Sequence, residues 1–332
     1  MTTELDTSAQ AGATLRAHLR EVLACDGAAP LGERANLSRV GPYRGYGEFL
    51  AAVQSLALGG ARLGVIGRSV QGAPLFSLEV GDARAAQASV VFAGIHAMEW
   101  IGVEAALALA ARLCGTAPVG RRVVLAPLVN VDGFRRAEAD LVAGRRRFVR
   151  ANARGVDLNR NWPAYFQRRK WLAVVAPWLG TAGSASCSEP EVAAAAGLCD
   201  TLVRTATLDR ALSLHSFGNK VLFPYGARWK APTDVDVLRA HARALRSRLQ
   251  HRYGVVQSAR WVPGFFAPGM EIDHLHDAYG AVALLLECGR GGLRWRHPSS
   301  YFHPFRWFNP PEPEPVAQDV AQAALPFLLG EG

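Results

Sequence analysis

Cysteine is scarce in this 332-residue chain. Its five residues, Cys25, Cys114, Cys187, Cys199 and Cys288, are odd in number and include no C-x-x-C pair. That argues against a disulfide framework and for thiols in a reducing compartment. No run of 18 or more apolar residues occurs, so no membrane span or membrane partner is expected. The N-terminal stretch MTTELDTSAQAGATLRAHLREVL has early acids and no apolar core, so it does not read as a secretory signal. A cytoplasmic location is the expectation. Negative charge is also short, for Lys and Arg exceed Asp and Glu by nine. Such a surplus suits a soluble surface or anionic ligands such as carboxylates. The basic residues are scattered, with Arg145-Arg146-Arg147 the densest group, and no helix-turn-helix, RNA-binding or zinc-finger pattern accompanies them. No nucleic-acid partner is expected.

What is present is a globular composition, 50% hydrophobic and 20% charged. The length allows one large domain or two small ones, and no repeat or low-complexity linker divides it. Residues 1–40 read as a peripheral extension with a short helix over Leu15–Leu23, followed by a Gly/Ala/Pro-rich segment. A helix over Tyr46–Leu56 precedes strands at Arg62–Gly67 and Leu75–Val80, joined by the turn-rich SVQGAP. Strands and helices then alternate. Strands are expected at Ser89–Ile95, Arg122–Val129, Arg210–Leu214 and Ala281–Cys288. Helices are expected at Glu99–Leu113, Glu189–Thr205, Thr233–Tyr253 and roughly Val316–Leu329, the last after a proline-rich stop at Pro310–Pro315. Asn130-Val131-Asp132-Gly133 reads as a turn, and residues 134–188 as a long irregular stretch of the kind that carries function. The pattern predicts a single α/β domain over 41–332: a mixed, mostly parallel twisted sheet with helices on both faces.

Three polar residues sit where an apolar strand meets a loop: His96, His215 and Glu287. In open α/β sheets ligands bind outside the carboxyl ends of strands. His96-x-x-Glu99 brings an imidazole and a carboxylate close together at a strand end and the first turn of the next helix. Two His and one Glu make a three-ligand zinc set with a fourth position left for water.

The stretches GIHAMEW (94–100), NVDGF (130–134), GVDLNRNWP (155–163), SEPE (188–191), SLHSFGNKVLFPYG (213–226) and LLLECG (284–289) recur in order. On these motifs the chain, from about Tyr43 onward, resembles the metallocarboxypeptidase family that includes pancreatic carboxypeptidases A and B. The resemblance implies one Zn2+ per chain, held by His96, Glu99 and His215. It implies that Glu287 is the general base that takes a proton from the zinc-bound water and passes it to the leaving amine. Asp157 matches the carboxylate behind the first zinc histidine, which fixes that ring's tautomer. Asn159 and Arg160 match the pair that grips the substrate's terminal carboxylate, a task suited to a planar guanidinium. Arg150 aligns with the arginine that stabilises the oxyanion, with Arg145–Arg147 and Arg154 as nearby alternatives. The implied partner is a peptide or peptide-like substrate with a free C-terminal carboxylate.

Several positions depart from the family pattern. Met98 stands where relatives place an arginine, which would remove a cation from the substrate groove. Phe217 and Phe265 stand where relatives place tyrosines, the second of them mobile; each keeps the aromatic body and loses the phenolic donor. Ile272 aligns with the specificity-pocket floor and favours apolar C-terminal side chains, whereas a one-residue slip to Glu271 or Asp273 would favour basic ones. Only about 40 residues precede the matching region, too few for an inhibitory pro-domain, so a constitutively active intracellular enzyme is expected. The activity implied is removal of a C-terminal residue. A related zinc amidase or deacylase, acting on a murein-type peptide or biosynthetic amide, is the second reading.

Overall fold

The longest apolar runs form the middle of one sheet. The computed structural model describes residues 8–25, 41–168, 180–291 and 302–331. Eight strands take part: β1 (Arg62–Arg68), β2 (Pro74–Gly81), β3 (Gln87–Ala93), β4 (Arg122–Ala126), β5 (Thr207–His215), β6 (Lys220–Phe223), β7 (Gly254–Gln257) and β8 (Val282–Glu287). Their order is β1-β2-β4-β3-β5-β8-β6-β7. The central strands β4, β3, β5 and β8 run parallel, and antiparallel pairs join them to β2 on one side and β6 on the other. Every residue of β8 is buried, and all of β3 but Gln87, so helices cover both faces.

Nine helices occur among the described residues: α1 (Ser8–Cys25), α2 (Tyr46–Leu58), α3 (Trp100–Thr116), α4 (Val131–Val142), α5 (Pro190–Leu202), α6 (Val235–Arg248), α7 (Glu271–Tyr279), α8 (Pro304–Phe308) and α9 (Pro313–Leu328). Helices α3 and α9 pack together along alanine-rich faces, with Ala105, Ala106 and Ala110 buried on one and Ala317, Ala321 and Ala324 on the other. Small residues let the helix axes approach closely. Helix α5 packs on β1 and β5, and α7 packs on β5 and β8.

Several boundaries differ from the sequence reading. The Asn130–Gly133 turn is the start of α4: Asn130 caps it, its side-chain oxygen accepting from the Gly133 N–H at 3.0 Å. Glycine fits at 133 because a Cβ there would meet Asn130, Ala151 and Ala97 within 2.8 Å. Strand β4 stops at Ala126 because Pro127 has no N–H for the ladder. Pro310 and Pro311 precede the last helix as expected, but Pro313 and Pro315 lie in its first turn, where an N–H would be unpaired anyway. Helix α1 is longer than expected and is not peripheral: Ala11 and Leu15 join the core, and the helix packs on α2 and β1. The Gly/Ala/Pro-rich segment after it lies outside the described residues, as do residues 169–179 of the irregular stretch.

Candidate metal centre and active site

Strand register sets the site. His215 ends β5 and Glu287 ends β8, and the two are direct partners in the parallel ladder. Ala93, the last residue of β3, pairs with Leu214. Three residues beyond Ala93 comes His96, reached through Gly94 at φ +61°, where a Cβ would strike Leu128 and Val103. Glu99 then caps α3. All four side chains are buried.

Donor atoms of His96, Glu99 and His215 lie within 4.8 Å of one another, the one such group of three among the described residues. His96 Nδ1 is 2.8 Å from Glu99 Oε1, His215 Nδ1 is 2.9 Å from Glu99 Oε2, and the two Nδ1 atoms are 3.1 Å apart. Each ring turns its other nitrogen to a different carboxylate: His96 Nε2 to Asp157 Oδ1 at 3.1 Å, His215 Nε2 to Glu271 Oε1 at 2.8 Å. Both nitrogens of each ring face carboxylates, which only accept. With the proton of each neutral ring on Nε2, toward Asp157 and Glu271, each Nδ1 keeps a lone pair for a metal. Two lone pairs and a carboxylate then converge on one point, which is repulsive unless a cation occupies it. Two ligands about 2.0–2.1 Å from zinc at tetrahedral angles stand about 3.3 Å apart, close to the Nδ1–Nδ1 spacing. The donor set therefore fits zinc.

Charge supports the same reading. Glu99, Asp157, Glu271 and Glu287 are all buried around the two histidines. Burial alone would raise the Glu99 carboxyl, but His96 and His215 more than offset it and hold it well below the ordinary range. His215 is pushed up to about 10: burial opposes its charge, and Glu271 and Glu99 outweigh burial. Glu287 goes the other way, to about 8, through burial first and the nearby Glu99 charge second. Its Oε2 is buried with no hydrogen-bond partner.

Asp157 ties the centre to the neighbouring loop. Its Oδ1 accepts from His96 and from the Asn159 N–H at 2.9 Å, and its Oδ2 from Arg150 Nε at 2.8 Å. Arg150 also stands 3.6 Å from Glu99, and Asp157 is held well below the usual carboxylate range: burial opposes this, and Arg150 and His96 outweigh it. Of the alternatives, Arg145 and Arg147 turn to Asp140, and Arg154 to Glu189. Asn159 is buried, and its Oδ1 accepts from the Glu271 N–H at 3.1 Å. Arg160 lies next to it, with its guanidinium 6.0 Å from the Phe265 ring. Phe265 is 42% exposed, and Phe217 is half-buried, set edge-on to Phe308.

Two positions contradict the sequence reading. Met98 is 2% exposed, packed in the core, so its side chain does not line a groove. Replacing a charge there is a matter of packing, not of groove polarity. Ile272 is wholly buried in the core and presents no open pocket floor. Neither flanking acid stands free in its place. Asp273 accepts from the backbone N–H groups of Gly226 and Ala227, and Glu271 is bound to His215 and Ser213. Sequence reasoning missed Glu271 as His215's partner and missed α7, which carries it. The available signal was the helical spacing of Ile272, Leu275 and Tyr279, with Glu271 at the head of the segment.

A family model described as zinc carboxypeptidase matches residues 47–289. Human carboxypeptidase A6 is 32% identical over 212 residues, which are 57% of this chain and 46% of that protein. The chain spans about half the length of several curated relatives it matches. Carboxypeptidase A from Helicoverpa armigera superposes with a TM-score of 0.69 at 20% identity, covering 95% of this chain and 79% of that one. Bovine thrombin-activatable fibrinolysis inhibitor, solved with a tick carboxypeptidase inhibitor, gives a TM-score of 0.68 at 20% identity, covering 87% and 98%. At that identity the likeness establishes the fold.

Proposed function

The chain belongs to the zinc carboxypeptidase family, and on that premise we propose that it hydrolyses the C-terminal amide bond of a peptide or peptide-like substrate. The carrying observation is the convergence of His96 Nδ1, Glu99 and His215 Nδ1 beside the unpartnered Oε2 of Glu287. One Zn2+ per chain would be held by those three residues. When bound, it supplies a Lewis acid that polarises the scissile carbonyl and lowers the pKa of water.

The chain's own residues do the rest. Glu287 accepts the proton from the attacking water at Oε2 and returns it to the leaving amine. Its free oxygen and buried setting keep it basic enough for that exchange, and a nearby divalent cation would draw its pKa below the metal-free value. Arg150, anchored by Asp157, presents positive charge where the carbonyl oxygen becomes negative. Arg160 and the Asn159 amide bind the terminal carboxylate, which places the last amide bond, and no internal one, at the metal. Phe265, whose ring centre lies 6.0 Å from the Arg160 guanidinium, would flank that ion pair without adding a hydrogen bond.

A peptide panel tests this reading. Free-acid peptides should lose their last residue, and a chelator should stop the reaction until zinc is restored. C-terminally amidated peptides should be cut at least about tenfold more slowly, since a charge-assisted hydrogen bond contributes about 1.5–3 kcal/mol. Equal cleavage of amidated peptides would remove the role given to Arg160 and favour an amidase.

A further inference from the structure

Glu271 belongs to no motif recognised in the sequence, yet it touches both halves of the site. It is the first residue of α7 and is fully buried. Its Oε1 accepts from His215 Nε2 at 2.8 Å and from Ser213 Oγ at 2.5 Å. Ser213 and His215 are two apart on β5, so their side chains leave the same face of the strand. One carboxylate oxygen therefore clamps the strand end and the imidazole together. The Glu271 backbone N–H donates to Asn159 Oδ1 at 3.1 Å. That contact fixes which way the amide is turned: the oxygen faces α7, and the Nδ2 donors face away. A carboxylate ligand requires donors, so this orientation is the productive one.

We propose that Glu271 is a positioning residue that sets His215 for the metal and Asn159 for the substrate's carboxylate. This rests on His215 being a metal ligand, as the proposed function has it. Asp157 does the corresponding work for His96, so each histidine has its own carboxylate. Such outer carboxylates fix ring orientation and raise ligand basicity. A competing reading comes from Glu271 Oε2, which is buried without a partner. An acid beside Ile272 with a free oxygen could instead receive a basic C-terminal side chain.

The test compares Glu271→Gln, Glu271→Ala and Ser213→Ala with wild type. Zinc affinity is read on chelator-stripped protein by competition with a chromophoric chelator. The ligand field is read from the visible spectrum after cobalt(II) substitution, and folding from thermal melting. Glu271→Gln should fold and should lose zinc affinity by about 10–100-fold, with a shifted cobalt spectrum. Glu271→Ala should lose more, and Ser213→Ala less, with the Ser213 variant carrying the test if the others misfold. On peptides ending in Phe, Leu, Lys or Arg at saturating zinc, kcat should fall and KM rise together, with the ranking of the four unchanged. Unaltered zinc affinity and cobalt spectrum in all folded variants would overturn the proposal. So would a selective loss of the Lys and Arg substrates, which would make Glu271 a specificity residue. If wild type cuts no peptide, the proposed function fails, and the zinc and cobalt readings still decide the role of Glu271.

Discussion

His96 and His215 are each held by an outer carboxylate, on different supports. His96 lies beyond the end of β3, and its outer carboxylate, Asp157, sits in the loop that also positions Arg150 and the Asn159 N–H. His215 is the last residue of β5, and its outer carboxylate, Glu271, begins a helix packed on β5 and β8. On the loop side, one carboxylate holds His96 and Arg150 at once. On the helix side, the carboxylate holds His215, and its backbone N–H holds the Asn159 amide. Under the proposed function, both halves would couple metal binding to substrate binding, through different atoms.

The largest effect should come from removing either histidine. His96→Ala and His215→Ala should both lose stoichiometric zinc at low micromolar metal, measured by competition, with activity at background. Full zinc binding in one variant would break the symmetry of the comparison. Asp157→Ala should come next and should exceed Glu271→Gln: about 10–100-fold in zinc affinity, with a further drop in kcat because Arg150 loses its anchor. Equal kcat at saturating zinc in the two variants would contradict the oxyanion role of Arg150. Arg160→Ala should raise KM for free-acid peptides by about 10–100-fold, from a charged hydrogen-bond loss of about 1.5–3 kcal/mol, and leave zinc affinity unchanged.

The pH dependence of metal uptake is a smaller and separate effect. The Glu271 and Glu99 carboxylates raise the His215 pKa, to about 10, and so favour a protonated ring whose proton zinc would have to displace. Zinc affinity should therefore fall as pH falls, by about tenfold per unit for each proton released. Competition at pH 6, 7 and 8 reads this directly, and a flat response would mean that His215 is not a ligand. The smallest effect is expected for Phe265→Tyr. The ring is exposed, so stability should change by less than about 0.5 kcal/mol, and KM should fall by a few-fold if the new hydroxyl reaches substrate.

How much of this was legible in the sequence follows from where each group sits. The parallel centre was readable because buried strands such as VALLLE are continuously apolar, and a polar residue ending such a run stands out. His96, His215 and Glu287 stand out that way, and Glu99 by its three-residue spacing from His96; of the four, His215 and Glu287 pair in the ladder, while His96 lies three residues beyond β3. Helix α7 was missed although Ile272, Leu275 and Tyr279 keep the helical i, i+3, i+7 spacing: it is only nine residues long, and its acids Glu271 and Asp273 are buried, where the sequence pattern would place them on a solvent face. Met98 and Ile272 were assigned by position in a pattern. Position along the chain does not tell which way a side chain turns, and both turn into the core. The short strands β6 and β7, four residues each, carry too few residues to show a period of two.

The central claim is that Glu287 acts as the base beside a metal held by His96, Glu99 and His215. The most direct measurement is the turnover of a free-acid peptide by Glu287→Gln at one bound zinc per chain, set against wild type. The account predicts unchanged zinc stoichiometry and a loss in kcat of about 10²–10⁴-fold. Turnover within a few-fold of wild type, with zinc in place, would contradict it.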